Sequence, residues 1–95
     1  MHARVVLYTF KPGMIDSAAK KADAGLAPIY SKHAGFKSYE VVKTGTDTAI
    51  SVSTWDSEAH AVEAVKLGAE WVAANIANDV VSAETHVGTV VISHR

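Results

Sequence analysis

Residues 35–64, GFKSYEVVKTGTDTAISVSTWDSEAHAVEA, decide the fold of this chain. They read as a strand, a tight turn, a second strand and a helix that opens directly after a tryptophan. Gly45-Thr46 fits a two-residue type II′ hairpin loop, which places glycine first. That loop pairs Val41 with Ile50 and Tyr39 with Val52 on one apolar face. Ser38, Glu40, Val42, Ala49, Ser51, Ser53 and Trp55 then share the other face. A slip of one residue would mix the two sets. After Trp55, Asp56 and Ser57 are candidate helix caps, and Glu58 suits the positive end of the helix dipole. Helical spacing puts Val62, Val65, Ala69, Val72 and Ile76 on a buried stripe, widened by Ala64, Leu67 and Trp71.

On the N-terminal side, residues 3–10 (ARVVLYTF) are apolar, aromatic or β-branched at both parities, as in a strand covered on both faces. Lys11-Pro12-Gly13 ends it with turn chemistry. A first helix follows, with Asp16 or Ser17 as its cap and Ile15, Ala18, Ala22, Leu26, Ile29 and His33 as its inner stripe. Pro28 removes one hydrogen bond and, beside Gly25, predicts a kink. Gly35 suits the left-handed position that closes a helix. On the C-terminal side, residues 80–94 are strand-like throughout. At about 3.3 Å per residue that run is too long for one strand of so small a sheet. A break is expected at Gly88, with residues 89–94 continuing as an arm.

The order β-α-β-β-α-β is the ferredoxin-like α+β arrangement, with a four-stranded antiparallel sheet. With 95 residues it forms a single domain, 1–95. Two helices cover one face of such a sheet. The first strand is apolar on both faces, so the uncovered face predicts a homodimer closed sheet against sheet. The composition excludes several classes. With 9 basic and 10 acidic side chains and a net charge of -1, the chain lacks the basic footprint of a nucleic-acid binder. It has no cysteine and hence no disulfide or thiolate metal site. No apolar run approaches the roughly 18 residues of a membrane span. A cytoplasmic protein without a signal peptide is the expectation.

Gly35-Phe36, the hairpin and Trp-Asp-Ser-Glu-Ala at residues 55–59 resemble the antibiotic biosynthesis monooxygenase-like group of the dimeric α+β barrel superfamily. The resemblance covers nearly the whole chain. It implies a homodimer with a ligand pocket in each subunit between helices and sheet. Some members of the group oxidise anthrone- or quinol-type aromatics with O2 and no metal or flavin; others degrade haem. In the anthrone oxygenases a tryptophan at the end of the third strand lies near the substrate, and Trp55 matches it. Their asparagine four residues earlier is Ser51 here. In the haem-degrading subgroup a histidine near the end of the second helix binds iron, and Asn75 stands at that position.

The chemical candidates each have a second reading. Trp55 closes the core, lines a pocket, or does both, since indole buries much area and keeps one donor. Ser38, Ser51 and Ser53 either admit a close helix or leave floor space for a flat ligand. Glu40 is a general base if it faces inward under an apolar lid, and a solvated edge residue otherwise. His60 is a proton shuttle or a solvent-facing helix residue. His33 caps the first helix, and His86 sits mid-strand near a cavity or the dimer seam. Tyr8 and Trp71 belong to core or pocket. No histidine pair has metal-ligand spacing, so no metal is expected, and the resemblance implies no other cofactor. Two functions follow. One is a cofactor-independent monooxygenase acting on a small flat aromatic and O2, with Glu40 or His60 as proton acceptor and Trp55, Ser51, Ser53, Trp71 and Tyr8 around the substrate. The other is a non-catalytic or stress-related dimer that binds a small ligand.

Overall fold

The structure, a computed structural model, describes residues 1–94. Its elements are β1 (His2–Phe10), α1 (Ile15–Ser31), β2 (Phe36–Lys43), β3 (Thr48–Trp55), α2 (Glu58–Asn75), a 3-10 turn (Ala77–Asp79) and β4 (Val80–Thr89). The sheet runs β2-β3-β1-β4, antiparallel throughout, with both helices on one face. This is the expected ferredoxin-like α+β fold. Among the described residues no helix is long and apolar enough to cross a membrane.

The hairpin register differs from the expectation by one residue. Val41 pairs with Ser51, Tyr39 with Ser53 and Val42 with Ile50. The loop is Gly45-Thr46-Asp47, closed by Thr44 N–H to the Thr48 carbonyl at 3.0 Å and by the two threonine hydroxyls at 2.9 Å. Asp47 leaves the ladder because it serves the β1–α1 turn. Its carbonyl accepts from Phe10 N–H at 2.8 Å and its carboxylate from Gly13 N–H at 3.2 Å. Gly13 is the described residue with positive φ, 78°, so neither Gly45 nor Gly35 takes the left-handed conformation expected of it. Gly35 is needed for space instead. A Cβ there would meet the His60 ring and come within 2.6 Å of the Asp56 carboxylate.

The slip re-sorts the faces. Tyr39, Val41, Ala49, Ser51, Ser53 and Trp55 lie under the helices, joined from β1 by His2, Arg4, Val6, Tyr8 and Phe10. Glu40, Val42, Ile50 and Val52 turn to the open face with Val5 and Leu7. A bulge between Phe36 and Ser38 keeps Phe36 on the helix side, against Trp55.

The helices also differ in detail. α1 starts two to three residues early: Met14 is its cap, with no side-chain bond, and Asp16 lies in its first turn. It continues through Pro28 to Ser31, and Lys32 N–H donates to the Pro28 carbonyl. Its buried stripe is Ile15, Ala18, Leu26 and Tyr30; Ile29 is exposed. α2 is capped by Ser57, whose hydroxyl accepts from His60 N–H at 3.3 Å. Its deepest face is Ala61, Ala64 and Gly68, while Val62 and Ala69 are exposed. The reason is Tyr30. Its fully buried ring reaches across from α1, and its hydroxyl donates to the Ala64 carbonyl at 3.1 Å. Only small residues allow that approach, and a Cβ on Gly68 would collide with the Tyr30 hydroxyl. At the end of the chain, β4 runs through Gly88 to Thr89 without a break, and 90–94 follow as an extension.

Two core clusters result. Phe10, Ile15, Ala18, Ala49 and Ile76 form one, under the hairpin end of the sheet. Leu26, Tyr30, Trp55, Ala61 and Ala64 form the other. Trp71 packs against both. Its indole Nε1 lies 2.8 Å from where a Gly25 Cβ would stand, so Gly25 lets α2 close on α1.

Candidate functional site

Between the two clusters, α1, the end of α2 and the sheet line a partly open apolar cavity of about 40 Å³. Tyr8, Phe10, Tyr39, Ala49 and Ser51 form its floor. Ile15, Ala18, Ala22 and Leu26 of α1 and Trp71, Val72 and Ile76 of the α2 end form its walls. A surface cleft of about 180 Å³ adjoins it where α1 meets β2, sharing Ala19, Ala22, Tyr39 and Val41. Ala19, Ala22 and Ala27 make the α1 side of this cleft, flanked by the Tyr30–Tyr39 ring contact at 5.1 Å and the Lys43–Asp16 ion pair at 3.5 Å that join α1 to β2.

Three of the seven singled-out residues line the cavity: Tyr8, Ser51 and Trp71. Trp55 lies in the second cluster and is fully buried, as is Ser53, whose hydroxyl accepts the indole N–H at 2.9 Å. Glu40 is exposed on the open face, on the far side of the sheet from the cavity. It does not face inward, because the one-residue register slip turned it outward. His60 lies at the other end of the molecule. Its Nδ1 meets Asp56 Oδ1 at 2.5 Å, and its ring stacks edge-on against His33 at 4.9 Å. The hydrogen bond from His60 holds the Asp56 carboxyl below its usual range. Gly35 N–H donates to His33 Nδ1 at 3.2 Å, and His33 Nε2 lies 3.2 Å from Glu63 Oε2. The His33 ring rests on Trp55, so Trp55 and Tyr30 stand between this histidine pair and the cavity.

One buried charged residue escaped the sequence reading. Arg4 is 2 % exposed, the third residue of β1, with its guanidinium against Gly68 of α2. Nη1 donates to the Ser51 hydroxyl at 3.3 Å, and Cζ lies 5.6 Å from the centre of the Tyr30 ring. Arg4, Val6, Tyr8 and Phe10 share one parity, and assigning that parity to the helix face would have found it.

Burial pushes the Tyr30 phenol up to about 12, with the Arg4 charge opposing the shift. Tyr39 is raised for the same reasons, burial first and Arg4 against it. The fold prefers both phenols neutral. For Tyr30 that preference contributes fully below the ordinary value of 10.0 and disappears as pH rises through about 12. Alkaline titration should therefore show helix loss by circular dichroism coinciding with the last phenol to ionise. Tyr30→Phe should shift the loss to higher pH. A Tyr30 that ionises near its ordinary value with the fold intact would contradict this.

No protein-family model matches the chain, and no curated protein does. Solved structures do match. A protein of unknown function from Nitrosomonas europaea superposes with a TM-score of 0.82 at 20% identity, covering 99% of this chain and 92% of that one. A "putative antibiotic biosynthesis monooxygenase" from Nitrosomonas europaea gives 0.78 at 10% identity, over 97% and 100%. A mutant of SnoaB, a cofactor-independent oxygenase from Streptomyces nogalater, gives 0.76 at 13% identity, over 97% and 94%. The chain shares the ferredoxin-like α+β fold of these structures. Within it, the shape is that of the antibiotic biosynthesis monooxygenase-like proteins.

Proposed function

We propose that this chain is a cofactor-independent monooxygenase of the antibiotic-biosynthesis-monooxygenase type, acting on a small, flat, electron-rich aromatic of quinol or anthrone kind. The observation that carries this reading is the apolar cavity between helices and sheet, with Tyr8, Ser51 and Trp71 on its wall. The fold shared with SnoaB supports it. A cavity of about 40 Å³ holds a few waters, whereas a drug-sized ligand needs about 300 Å³ or more. The substrate therefore enters by displacing the alanine-lined stretch of α1 and merging the cavity with its adjoining cleft. Deprotonated substrate passes an electron to O2, the two radicals combine, and one oxygen atom leaves as water. Since Glu40 and His60 stand outside the cavity, the substrate proton leaves through water. Orientation and exclusion of bulk water supply most of the rate. O2 uptake by purified protein with dithranol, and separately with a menaquinol, is expected to exceed the buffer rate on at least one of them. Buffer rates on both would overturn the reading.

The placement of Glu40 and His60 away from the cavity favours a second reading, a non-catalytic binding protein on the same fold. A thermal-shift screen with quinones, haem and fatty acids separates the two. This second reading expects a raised melting temperature with no oxygen uptake.

In either case we infer a cytoplasmic homodimer closed through the open sheet face. Val5, Leu7, Ile50, Val52 and Val42 form its apolar centre, and Glu40, Glu84 and His86 its polar rim. The exposed Val91 and Ile92 beyond β4 would add contacts as an arm.

A further inference from the structure

We propose that Arg4 anchors the oxyanion of a small apolar acid, carboxylic or enolic, bound in a groove between α2 and the β1–β4 edge. The groove holds about 210 Å³ and touches Arg4 at one end. Val6, Val65, Ala69, Val72, Ala83 and Thr85 line the rest, so the body of the ligand must be apolar.

The case rests on an imbalance around the guanidinium. Arginine carries five N–H donors and a charge it cannot shed. Removing that charge from water costs several kcal/mol unless a counter-ion and hydrogen bonds offset it. Among the described residues Arg4 makes one hydrogen bond, the 3.3 Å contact to Ser51, and no ion pair. Its buried Nε has no partner. The Tyr30 face offers a cation–π contact at 5.6 Å, which is a weak substitute for a carboxylate.

The fold is nevertheless shaped to hold the group. Gly68 sits in the middle of α2, where glycine costs about 1 kcal/mol relative to alanine. A Cβ there would collide with the Tyr30 hydroxyl and approach Arg4 Nη2 to 2.8 Å. Gly68 thus leaves room for the Tyr30 hydroxyl and for the guanidinium beside it. One guanidinium suits one negative charge, and the apolar groove beside it selects a hydrophobic acid. This inference holds for a catalyst or a binding protein alike.

The test compares 2-naphthoate with the neutral 2-naphthalenemethanol by calorimetry at neutral pH. Wild-type protein is expected to bind the anion at least about tenfold more tightly, a difference of about 1.4 kcal/mol. Arg4→Met should abolish the preference while keeping alcohol binding, and its ligand-free melting temperature should not fall. Equal binding of the two probes by wild type, or a preference surviving in Arg4→Met, overturns the proposal. If Arg4→Met does not fold, the Arg4 Nε–H resonance of wild type decides. It should move with naphthoate and not with the alcohol, and indifference to both overturns the assignment. Since the readout is binding, its failure is distinct from an absence of oxygenase activity.

Discussion

Trp55→Ala should leave the chain largely unfolded in dilute buffer at room temperature. Trp55 is fully buried at the end of β3. Its ring stands edge-on to Tyr30 at 5.2 Å, to His33 at 5.2 Å and to Phe36 at 5.7 Å. It therefore ties α1, the α1–β2 turn and β2 to the sheet. Truncating a buried tryptophan costs about 3–5 kcal/mol, and aromatic pairs of this geometry add about 0.5–1.5 kcal/mol each. The Ser53 hydroxyl, fully buried, would also lose the indole N–H that it accepts. Domains are stable by about 5–15 kcal/mol in total, and one of 95 residues sits toward the lower end. The loss is therefore comparable with the whole. Urea unfolding followed by far-ultraviolet circular dichroism reads it directly, as a midpoint lowered by about 2 M or an absent transition. Trp55→Phe should fall between, since it keeps the ring contacts and drops only the indole volume and its bond. A Trp55→Ala midpoint close to wild type would mean that this aromatic cluster is not what holds α1 to the sheet.

The parts legible in the sequence are those set by local chemistry. Element order follows from hydrophobic period, and the Ser57 cap from residue type at the start of a clear helix. The small residues Ser51 and Ser53 read either as admitting a close helix or as leaving floor space for a ligand, and both are buried. The hairpin register was not legible, because a contact distant in sequence decides it: Asp47 bonds to Phe10 and Gly13. From that one residue follow the outward turn of Glu40 and the inward turn of Tyr39 and Val41. The buried stripe of α2 misled for a similar reason. Periodicity favours the stripe through Val62, Val65 and Ala69, but Tyr30 from α1 claims the helix surface and demands Ala61, Ala64 and Gly68. Arg4 was passed over because a charged residue at the start of a strand normally reads as exposed.

Val52→Asp should halve the solution mass. Val52 faces Val5 across the β1–β3 ladder and sits beside Glu40 on β2, at the middle of the open face. In the inferred homodimer that face is buried, and each substitution occurs twice, once per copy. A carboxylate moved from water into an apolar seam costs several kcal/mol unless it is paired. Here the neighbouring charge is Glu40, of the same sign, and so deepens the cost. A homodimer with micromolar affinity is held by about 8 kcal/mol, which two such penalties exhaust. Light scattering at micromolar concentration should therefore give twice the chain mass of 10.1 kDa for wild type and a single chain mass for Val52→Asp. Val62→Asp provides the control: that side chain is exposed on α2, away from the open face, and its mass should match wild type. The freed monomer should also melt at lower temperature, because a domain of this size loses the apolar burial that its partner supplied. A wild-type protein that already runs as one chain, or a Val52→Asp protein that stays double, would show that the open face closes on nothing. The apolar residues there would then need another partner.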